Sequence, residues 1–308
     1  MGVFENARRG PRTGGDAVRE HIRNVTGSDD AYVFAYRSLE VRAYVLAEPV
    51  PHVLYTTFGV SRVASSQPSA GTQTELTMRV PGAPALPQQW PADVLAGAAR
   101  DEIEPGHYLS LDTPRGTLTG FVFVTDPLLG VLDGPTGFIR FTCAVGLAGD
   151  DFERMLSWDP RKFAALVGDR VPLSMTSADR APLSAHPDDR DMLDRVVGAE
   201  GSSIGAMHAR FLDVDATGRV DMDTAAARAV VRAARHRLLH GRTFALLNGD
   251  TWLLFDPRCP AAELADDHII VPATTAFAHE LLAVFDAVPG VYRLRTAPLE
   301  IRVVDPNT

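Results

Sequence analysis

Gly137-Phe-Ile-Arg-Phe-Thr-Cys-Ala-Val-Gly-Leu147 is a nearly continuous apolar run with the length of a β-strand. A run of this kind is typical of a strand that is buried on both faces of a sheet. Leu118–Thr125 has the same character, and we predict that both runs are central strands. Cys143 lies inside the first run, so we expect a small buried thiol at that position.

Two segments upstream of these runs also predict strands. His52–Arg62 is rich in β-branched and aromatic residues. Glu75–Val80 alternates, with Leu76, Met78 and Val80 on one face and Glu75, Thr77 and Arg79 on the other. Alternation with a period of two predicts a half-buried antiparallel strand whose second face is polar.

Helical spacing and capping residues predict helices between and after these strands. One helix is expected around Asp16–Asn24 with Asp16 as its N-cap, because aspartate accepts hydrogen bonds from the first backbone N–H groups. Trp90-Pro91 opens another, since proline is tolerated at the first helical position. The remaining helices of this half are expected at Asp150–Leu156, Pro160–Val167 and Pro187–Val197.

A small, flexible segment, Gly198-Ala-Glu-Gly-Ser-Ser-Ile-Gly205, marks the predicted domain boundary. We expect a flexible tail at residues 1–15, an N-terminal lobe at 16–200 and a C-terminal lobe at 201–308, with Gly198, Gly201 and Gly205 as the hinge. Beyond the boundary we expect strands at Met207–Val214, Thr243–Leu247, Trp252–Phe255, His268–Val271 and Leu299–Val304, and helices at Thr224–Leu239 and Thr274–Ala287. Helices and strands without strict alternation predict an α+β fold of two mixed α/β sandwich lobes joined by a short hinge.

Composition excludes several classes of function. The net charge of −9 and pI of about 5.5 disfavour binding to nucleic acid, which needs clustered lysine and arginine. No signal core or membrane span is evident, so we expect a cytoplasmic protein without a membrane partner. Lys162 is the single lysine among 30 basic residues, which we interpret as a mark of GC-rich coding. Two cysteines are too few for a disulfide framework.

Two motifs that resemble catalytic signatures lack the context that catalysis requires. Gly201-Ser-Ser-Ile-Gly205 matches the nucleophile elbow around Ser203, but the predicted helix precedes it and the strand follows, which is the reverse order. His236 and His240 have zinc-protease spacing, but Arg237 stands where the general base is needed. We therefore predict no catalytic residue, no cofactor and no metal site, and keep a hydrolytic or metal-dependent enzyme only as the alternative.

The segment from Asp213 to Thr224 imitates a calcium loop, with oxygen-bearing residues at alternate positions and Gly218 at the sixth. Its twelfth position is Thr224, where calcium loops carry a bidentate glutamate. Asp-Ala-Thr-Gly also forms a good turn without any ion. Whether the turn Asp213–Asp223 binds an ion stays open from the sequence.

Several strings, taken in order, resemble the suppressor-of-fused family over about residues 30–305. They are Pro51-His-Val-Leu-Tyr-Thr-Thr-Phe-Gly-Val-Ser61, Glu75-Leu-Thr-Met-Arg79, Trp90-Pro-Ala-Asp-Val-Leu-Ala-Gly-Ala-Ala-Arg100, Thr125-Asp-Pro127, the run that ends at Leu147, Trp158, Arg237-Leu-Leu-His-Gly-Arg-Thr-Phe244 and Leu299-Glu-Ile-Arg-Val303. The resemblance is to a bacterial, two-lobed member, because the long insertion of animal members has no counterpart in the second lobe.

The resemblance implies a non-catalytic protein-binding module. In animal members an extended peptide adds as a strand in the cleft between the lobes, where main-chain hydrogen bonds supply affinity and side-chain pockets supply selectivity. Bacterial relatives resemble immunity proteins that neutralise toxins. We therefore expect a protein or peptide partner, with a cognate toxin as the leading candidate and sequestration of another cytosolic protein as the alternative.

The resemblance also implies where a partner binds, although two positions depart from the family pattern. Asp101 stands where animal members have an aromatic residue, and His107 follows Gly106 where they have an acid. A histidine cannot supply the fixed negative charge that a protonated histidine of a peptide prefers. The predicted partner-binding residues are Asp101, His107, Tyr108, Leu109, Leu238, Leu239 and His240.

Overall fold

The computed structural model describes residues 11–305, apart from the side chain of Asp112. The chain divides into two compact units: Met1–Phe152 with Pro160–Leu183 forms the first unit, and Glu153–Asp159 with Ser184–Thr308 forms the second. Both units mix helices with strands, and the strands form three sheets. The predicted α+β fold with two mixed lobes is confirmed.

The first unit is built around one eight-stranded sheet. Its elements are α1 (Gly14–Thr26), β1 (Tyr32–Ala35), β2 (Glu40–Leu46), β3 (His52–Phe58), β4 (Gln73–Pro81), α2 (Trp90–Ala98), β5 (Tyr108–Arg115), β6 (Leu118–Thr125), β7 (Val131–Gly134), β8 (Gly137–Ala148), α3 (Asp151–Ser157, which ends in the second unit) and α4 (Pro160–Arg170). The strand order is β1-β2-β3-β4-β8-β6-β5, and β7 pairs with β8. In this order β4 and β8 pair in parallel, and the other neighbouring strands pair antiparallel. The end strands of the order are β1 and β5.

Helices cover both faces of this sheet. Leu95 of α2 belongs to the cluster that contains Leu76 and Met78, on one face. Ile22 of α1 belongs to the cluster that contains Phe141, on the opposite face. Because both faces are covered, β8 is buried along most of its length, as its apolar run predicts. The thiol of Cys143 is fully buried, and this burial raises its pKa to about 12.

The prediction that β4 is half-buried is wrong. Glu75, Thr77 and Arg79 are fully buried, because β4 lies inside the sheet and its second face is covered as well. Burial of a charge requires a partner, and Arg79 has one: its two terminal nitrogens donate to Asp126 Oδ2 at 2.5 Å and Oδ1 at 2.8 Å. The pairing lowers the pKa of Asp126 although burial acts in the opposite direction.

The predicted N-cap of the first helix is also wrong. Thr13 caps α1, and Asp16 is the third helical residue, whose carboxylate accepts a hydrogen bond from the Thr13 N–H at 3.0 Å. The reciprocal bond from the Asp16 N–H to the Thr13 hydroxyl completes a capping box. Of the predicted tail, residues 1–10 lie outside the described part of the chain, whereas Gly14 and Gly15 belong to the helix.

The second unit has two smaller sheets that share one apolar cluster. Its elements are α5 (Pro187–Glu200), β9 (Ala206–His208), β10 (Leu212–Val214), β11 (Arg219–Asp223), α6 (Thr224–His236), β12 (Phe244–Asn248), β13 (Thr251–Asp256), β14 (Glu263–Leu264), β15 (His268–Pro272), α7 (Thr275–Val284), β16 (Gly290–Arg293) and β17 (Glu300–Val304). One sheet has the order β10-β11-β17-β16, and the other β14-β15-β13-β12-β9. Both α6 and α7 contribute to the cluster.

The single strand predicted at Met207–Val214 is two strands in different sheets. The Asp223 carboxylate accepts hydrogen bonds from the N–H groups of Arg210 and Phe211, at 3.0 and 2.9 Å, and so holds the chain at the corner between β9 and β10. Its other oxygen caps α6 through Ala225 and Ala226. One buried carboxylate therefore fixes both the corner and the helix start.

The predicted hinge glycines differ in their surroundings. Gly198 is exposed in α5, and an added Cβ there would meet no atom within 4 Å. Gly201 has φ +64° and ψ −170°, and an added Cβ would lie 2.3 Å from the carbonyl oxygen of His236. Gly205 lies near Arg237, 3.0 Å from the added Cβ to its guanidinium. Hinge motion stays a prediction, and the predicted boundary at residue 200 differs from the contact-based division mainly by α5.

We predict that Asp126→Ala lowers the free energy of unfolding by about 3–5 kcal/mol, because it leaves the Arg79 charge buried without its partner. Asp133→Ala, which removes an exposed aspartate of β7, should change it by less than about 0.5 kcal/mol. Urea unfolding measures both variants, and Asp126→Asn serves if the alanine variant does not fold. Equal stability of the Asp126 and Asp133 variants would contradict the role of the ion pair.

We predict that Gly201→Ala destabilises the protein by about 2 kcal/mol or more, because the backbone conformation at this position is restricted to glycine and the added Cβ meets a carbonyl oxygen. Gly198→Ala is the matched control and should stabilise α5 by up to about 1 kcal/mol, the difference in helix propensity. Thermal unfolding of the two variants gives the sign directly. A stabilising effect of Gly201→Ala would overturn this interpretation.

Candidate functional site

The sheet edge at β5 is the strongest candidate site in the first unit. Among the described residues, β5 pairs only with β6, through the antiparallel register Tyr108↔Val122, Leu109↔Phe121 and Ser110↔Gly120. The register then shifts before Arg115 pairs with Leu118. An edge strand presents main-chain hydrogen-bonding groups that another extended segment can complete.

A tight turn sets the start of β5. The His107 N–H donates to the Glu104 carbonyl at 3.0 Å, with Pro105 and Gly106 in the two central positions. Gly106 has φ +93°, and proline followed by a glycine with positive φ is the signature of a type II turn. The Gly106 N–H and the His107 carbonyl both bond to Phe123, at 2.7 and 2.9 Å, so the turn is fixed onto β6.

These bonds determine which way the main-chain groups of β5 point. The Phe123 N–H donates toward β5, and alternation along β6 gives Phe121 the same direction. Leu109, which is paired with Phe121, therefore directs its N–H and C=O toward β6. The N–H and C=O of Ser110 point to the opposite side, where no strand of the described chain lies.

Three of the predicted site residues come together at the start of this strand. His107 and Tyr108 are exposed, and Leu109 is partly buried against the cluster of α2. The ring of Tyr108 meets Phe152 edge-on, with centroids 5.9 Å apart. Asp101 is also exposed, in the connection between α2 and β5. Their role in binding a partner stays a prediction.

The imidazole of His107 has a defined tautomer. Its Nδ1 accepts a hydrogen bond from the Glu104 N–H at 3.3 Å. A nitrogen that accepts carries no proton, so the neutral ring bears its hydrogen on Nε2. His107 therefore offers a hydrogen-bond donor at the start of the edge, which suits a carboxylate or carbonyl oxygen.

The predicted residues of the second unit lie in a short 3₁₀ turn, Leu238–His240. Leu238 is 2 % exposed and belongs to the core, and Leu239 is partly buried against it. The His240 ring lies beside Gly201, 2.7 Å from the position of an added Cβ. Direct contact with a partner is therefore open to His240 and Leu239 more than to Leu238, and the assignment stays a prediction.

A second edge strand, β9, is absent from the sequence-based prediction. It pairs with β12, and hydrogen bonds from the Ala245 N–H to Gly205 and from the Ala209 N–H to Leu247 flank the pairing. Met207 therefore directs its main-chain groups toward β12, and those of Ala206 and His208 point to the other side. Both residues are exposed. The prediction joined β9 and β10 into one strand that ends at Val214, and so it did not indicate this edge. Pro105-Gly106, by contrast, is a turn signal that could have indicated where β5 begins.

Two carboxylates of the calcium-like segment, those of Asp215 and Asp221, are already engaged with the protein. Asp215 accepts hydrogen bonds from Thr217 and from the Arg219 N–H, which lower its pKa. Asp221 is paired with Arg219 and Arg302, and these bonds hold its pKa low although burial acts in the opposite direction. These bonds stabilise a turn and a sheet face.

The two catalytic look-alikes do not assemble a site in the described residues. Ser203 lies after α5 and before β9, and its N–H donates to the Trp158 carbonyl at 2.7 Å, so the elbow geometry is absent there. Within residues 11–305, no group of three histidine, cysteine, aspartate or glutamate side chains could hold a metal ion. Over the same residues, every helix is too short or too polar to cross a membrane.

Comparison with known proteins gives a family match and similar folds. The family model of the suppressor of fused protein matches residues 36–181. The crystal structure of Drosophila Suppressor of Fused is similar with a TM-score of 0.65 and 16% identity, over 96% of this chain and 98% of that chain. A Sufu–Fu complex structure matches with a TM-score of 0.51 and 21% identity, over 60% of this chain and 98% of that chain.

A suppressor-of-fused homolog from Neisseria gonorrhoeae matches with a TM-score of 0.41 and 12% identity, over 55% of this chain and 95% of that chain. No curated protein matches the sequence. At their identities, the matches to the Drosophila protein and to the Sufu–Fu complex establish a shared fold.

We predict that acid destabilises the protein partly through His236. Burial, reinforced by the charges of Arg235, His240 and Arg232, lowers the pKa of His236 to about 4. The unfolded chain takes up this proton near pH 6.5 and the folded chain does not, so the stabilising contribution is lost as the pH falls from about 6.5 toward 4. His236→Gln should therefore show a shallower decline of unfolding free energy over this range.

Urea unfolding of both proteins at about pH 7, 5.5 and 4.5 checks this expectation. The difference at pH 7 measures the effect of the substitution on packing, and is subtracted from the others. Parallel curves for the two proteins would show that His236 does not contribute.

Proposed function

We propose that this chain, whose residues 36–181 match the family model of the suppressor of fused protein, is a protein-binding module that adds an extended partner segment to the edge of β5. Suppressor-of-fused proteins are binding and regulatory proteins rather than enzymes. The matching Sufu–Fu complex is a complex between two proteins, although it involves different chains. A protein partner is therefore the class of ligand that the family favours.

The observation that carries the proposal is the orientation of the β5 main chain. The N–H and C=O of Ser110 point away from β6, and the strand is fixed from behind by the bonds between the Glu104–His107 turn and Phe123. A rigid edge loses little conformational entropy when a segment pairs with it, so each main-chain hydrogen bond contributes more of its energy to affinity.

Side chains next to this edge supply selectivity. His107 presents its Nε2–H, so an acceptor on the partner is favoured over a protonated histidine. Leu109 lies on the α2 side of the sheet, whereas Tyr108 lies on the opposite side. A paired segment would therefore present alternate side chains to an apolar environment on one side and to an aromatic ring on the other.

The hypothesis that one segment is captured by both lobes extends the proposal to β9 and to the turn Leu238–His240. The exposed main-chain groups of Ala206 and His208 support a role for β9. If both lobes take part, a proline at His208 and one at Ser110 should each weaken the same complex. Weaker partner binding in the Ser110→Pro variant alone would confine the site to the first unit.

For the biological role, we propose an immunity protein that neutralises a cognate toxin, with sequestration of a cytosolic regulator as the alternative. The single lysine, as a mark of GC-rich coding, is consistent with a bacterial member and supports the first role. Growth of a host that produces the captured partner distinguishes the two. Rescue by the wild-type chain and not by Ser110→Pro supports neutralisation, and growth that is unaffected by the partner favours the regulatory role.

We predict that Ser110→Pro weakens partner binding by about tenfold or more, because it removes an outward N–H and places a ring at the pairing edge. Val33→Pro is the matched control: Val33 is in β1, the other end strand of the same sheet, and its N–H also points away from its neighbour. The partner is first captured from the native cell and identified by intact mass, and each variant is then titrated by calorimetry. Equal affinity of wild type and Ser110→Pro would refute the site at β5.

A further inference from the structure

The outer edge of β1 is a surface that the proposed partner site does not use. β1 and β5 stand at opposite ends of the strand order, and within the described residues β1 pairs only with β2. The Tyr36 N–H donates to the Leu39 carbonyl at 2.9 Å. Alternation from this bond directs the main-chain groups of Phe34 toward β2 and those of Val33 and Ala35 outward.

This edge is apolar and lacks the residues that normally protect a free edge. Tyr32 and Val33 are each 48% exposed, and Ala35 is exposed as well. The strand, Tyr32-Val-Phe-Ala35, contains no charged residue, proline or glycine. Natural proteins place such residues on edges that stay in water, because an unprotected edge pairs with another chain. We therefore expect the β1 edge to be covered.

Two other end strands carry the protection that β1 lacks. β5 contains Pro114 and Arg115. β16 begins with Gly290 and ends with Arg293, whose Nε donates to Glu300 at 2.6 Å. The bare composition of β1 is therefore a property of this edge and not of every end strand in the protein.

The sequence around Val33 is nearly symmetrical. Ala31-Tyr-Val-Phe-Ala35 reads alanine, aromatic, valine, aromatic, alanine in both directions. When two copies pair antiparallel with Val33 opposite Val33, each Tyr32 lies opposite the Phe34 of the second copy, and each Ala31 opposite its Ala35. The outward main-chain groups of the two strands then face each other, which is the condition for antiparallel hydrogen bonds.

Aromatic side chains on the α2 side of β1 support this pairing. The ring centroids of Tyr32 and Phe34 are 4.9 Å apart, and those of Phe34 and Tyr55 are 6.3 Å apart. With Tyr32 opposite the Phe34 of a second copy, the two rows of rings continue into each other across the symmetry axis. Aromatic pairs on facing strands stabilise a sheet beyond its main-chain hydrogen bonds.

Charges at the two ends of β1 also match a second copy. Asp30 precedes the strand and Arg37 follows it, and both are exposed. The length of the strand keeps these two side chains apart within one chain. In an antiparallel pair the start of one strand lies beside the end of the other, so Asp30 of each copy comes near the Arg37 of its partner. A two-fold axis supplies both complementary pairs at once.

We propose that β1 is the contact of a symmetric dimer, in which two copies of this chain pair antiparallel through their β1 edges. The symmetrical sequence, the outward main-chain groups and the opposite charges at the strand ends select a second copy as the occupant. A two-fold contact uses both β1 edges, so the assembly closes at two copies. The dimer is independent of the partner site proposed at β5.

Sedimentation equilibrium of the full chain tests the dimer directly. A contact of one strand per copy is smaller than a standard interface, so we expect a reversible dimer with a Kd on the order of 10 µM. A protein that stays monomeric up to about 500 µM, which is far above this Kd, would overturn the proposal.

Cysteine variants locate the contact. Facing residues in a hydrogen-bonded antiparallel pair have Cα atoms about 5.5 Å apart, which a disulfide can span. Val33→Cys should therefore form a covalent dimer on oxidation with copper phenanthroline. Val291→Cys is the matched control, because Val291 is 54% exposed in the end strand β16 and its N–H also points outward. Equal cross-linking of the two variants, after subtraction of the wild-type background from Cys259, would contradict a contact at β1.

Charge reversal tests the antiparallel arrangement. Arg37→Asp and Asp30→Arg should each raise the dimer Kd about fivefold, because each places like charges at both ends of the contact. The combined variant Asp30→Arg/Arg37→Asp should restore the wild-type Kd, since the pairs form again with exchanged signs. A combined variant that is weaker than either single one would refute this arrangement.

Proline variants separate the dimer from the partner site. Val33→Pro removes the central outward N–H of β1 and should raise the dimer Kd about tenfold or more. Ser110→Pro should dimerise like the wild-type chain, whatever its effect on the partner. If Ser110→Pro is monomeric and Val33→Pro still dimerises, the copies associate through β5 and the proposal is wrong.

Discussion

The buried ion pair between Arg79 and Asp126 is the constraint on which the first unit depends. It joins β4, through Arg79, to Asp126, the residue that follows β6. Asp126 also accepts the Thr77 hydroxyl at 2.6 Å and the N–H groups of Leu128 and Leu129, so its lone pairs are used as fully as its charge. Because the end of β6 is fixed in this way, Phe123 is held where the turn before β5 bonds to it.

A second buried carboxyl group, that of Glu75, lies in β4, the strand that also carries Arg79. Glu75 accepts hydrogen bonds from the Thr57 hydroxyl at 2.6 Å, from the Ser61 hydroxyl at 2.5 Å and from the Ser61 N–H at 2.9 Å. The chain after β3 is thereby tied to β4. Burial of Arg79 and Glu75 inside one strand costs desolvation energy, but their specific hydrogen-bond partners favour one pairing of the surrounding strands.

The outcome for β4 shows what a sequence pattern can and cannot predict. Continuous apolar runs located β6 and β8 correctly, because only burial on both faces allows them. Alternation in β4 predicts that Arg79 is exposed. This prediction is wrong because the pattern does not reveal that Asp126 lies within hydrogen-bonding distance of Arg79. A charged residue 47 positions away decides whether a polar face is in solvent or in the core.

The candidate site, like the fold, was predicted from the sequence only in part. The resemblance directed attention to His107, Tyr108 and Leu109, and the structure places Tyr108 and Leu109 on one edge strand and His107 directly before it. The edge at β9 was missed, because the corner that separates it from β10 depends on the Asp223 side chain, which is distant in the sequence. Local pattern places strands, whereas strand ends often depend on such distant side chains.

The register shift after Ser110 gives β5 a property that a binding edge needs. Only three consecutive residues, Tyr108 to Ser110, are in regular register before the irregularity. A long, flat edge would template the stacking of further copies into fibrils, and an irregularity of this kind interrupts that growth. The regular part of the edge is thus long enough to pair with one partner segment, whereas the irregularity after it hinders the stacking of further copies.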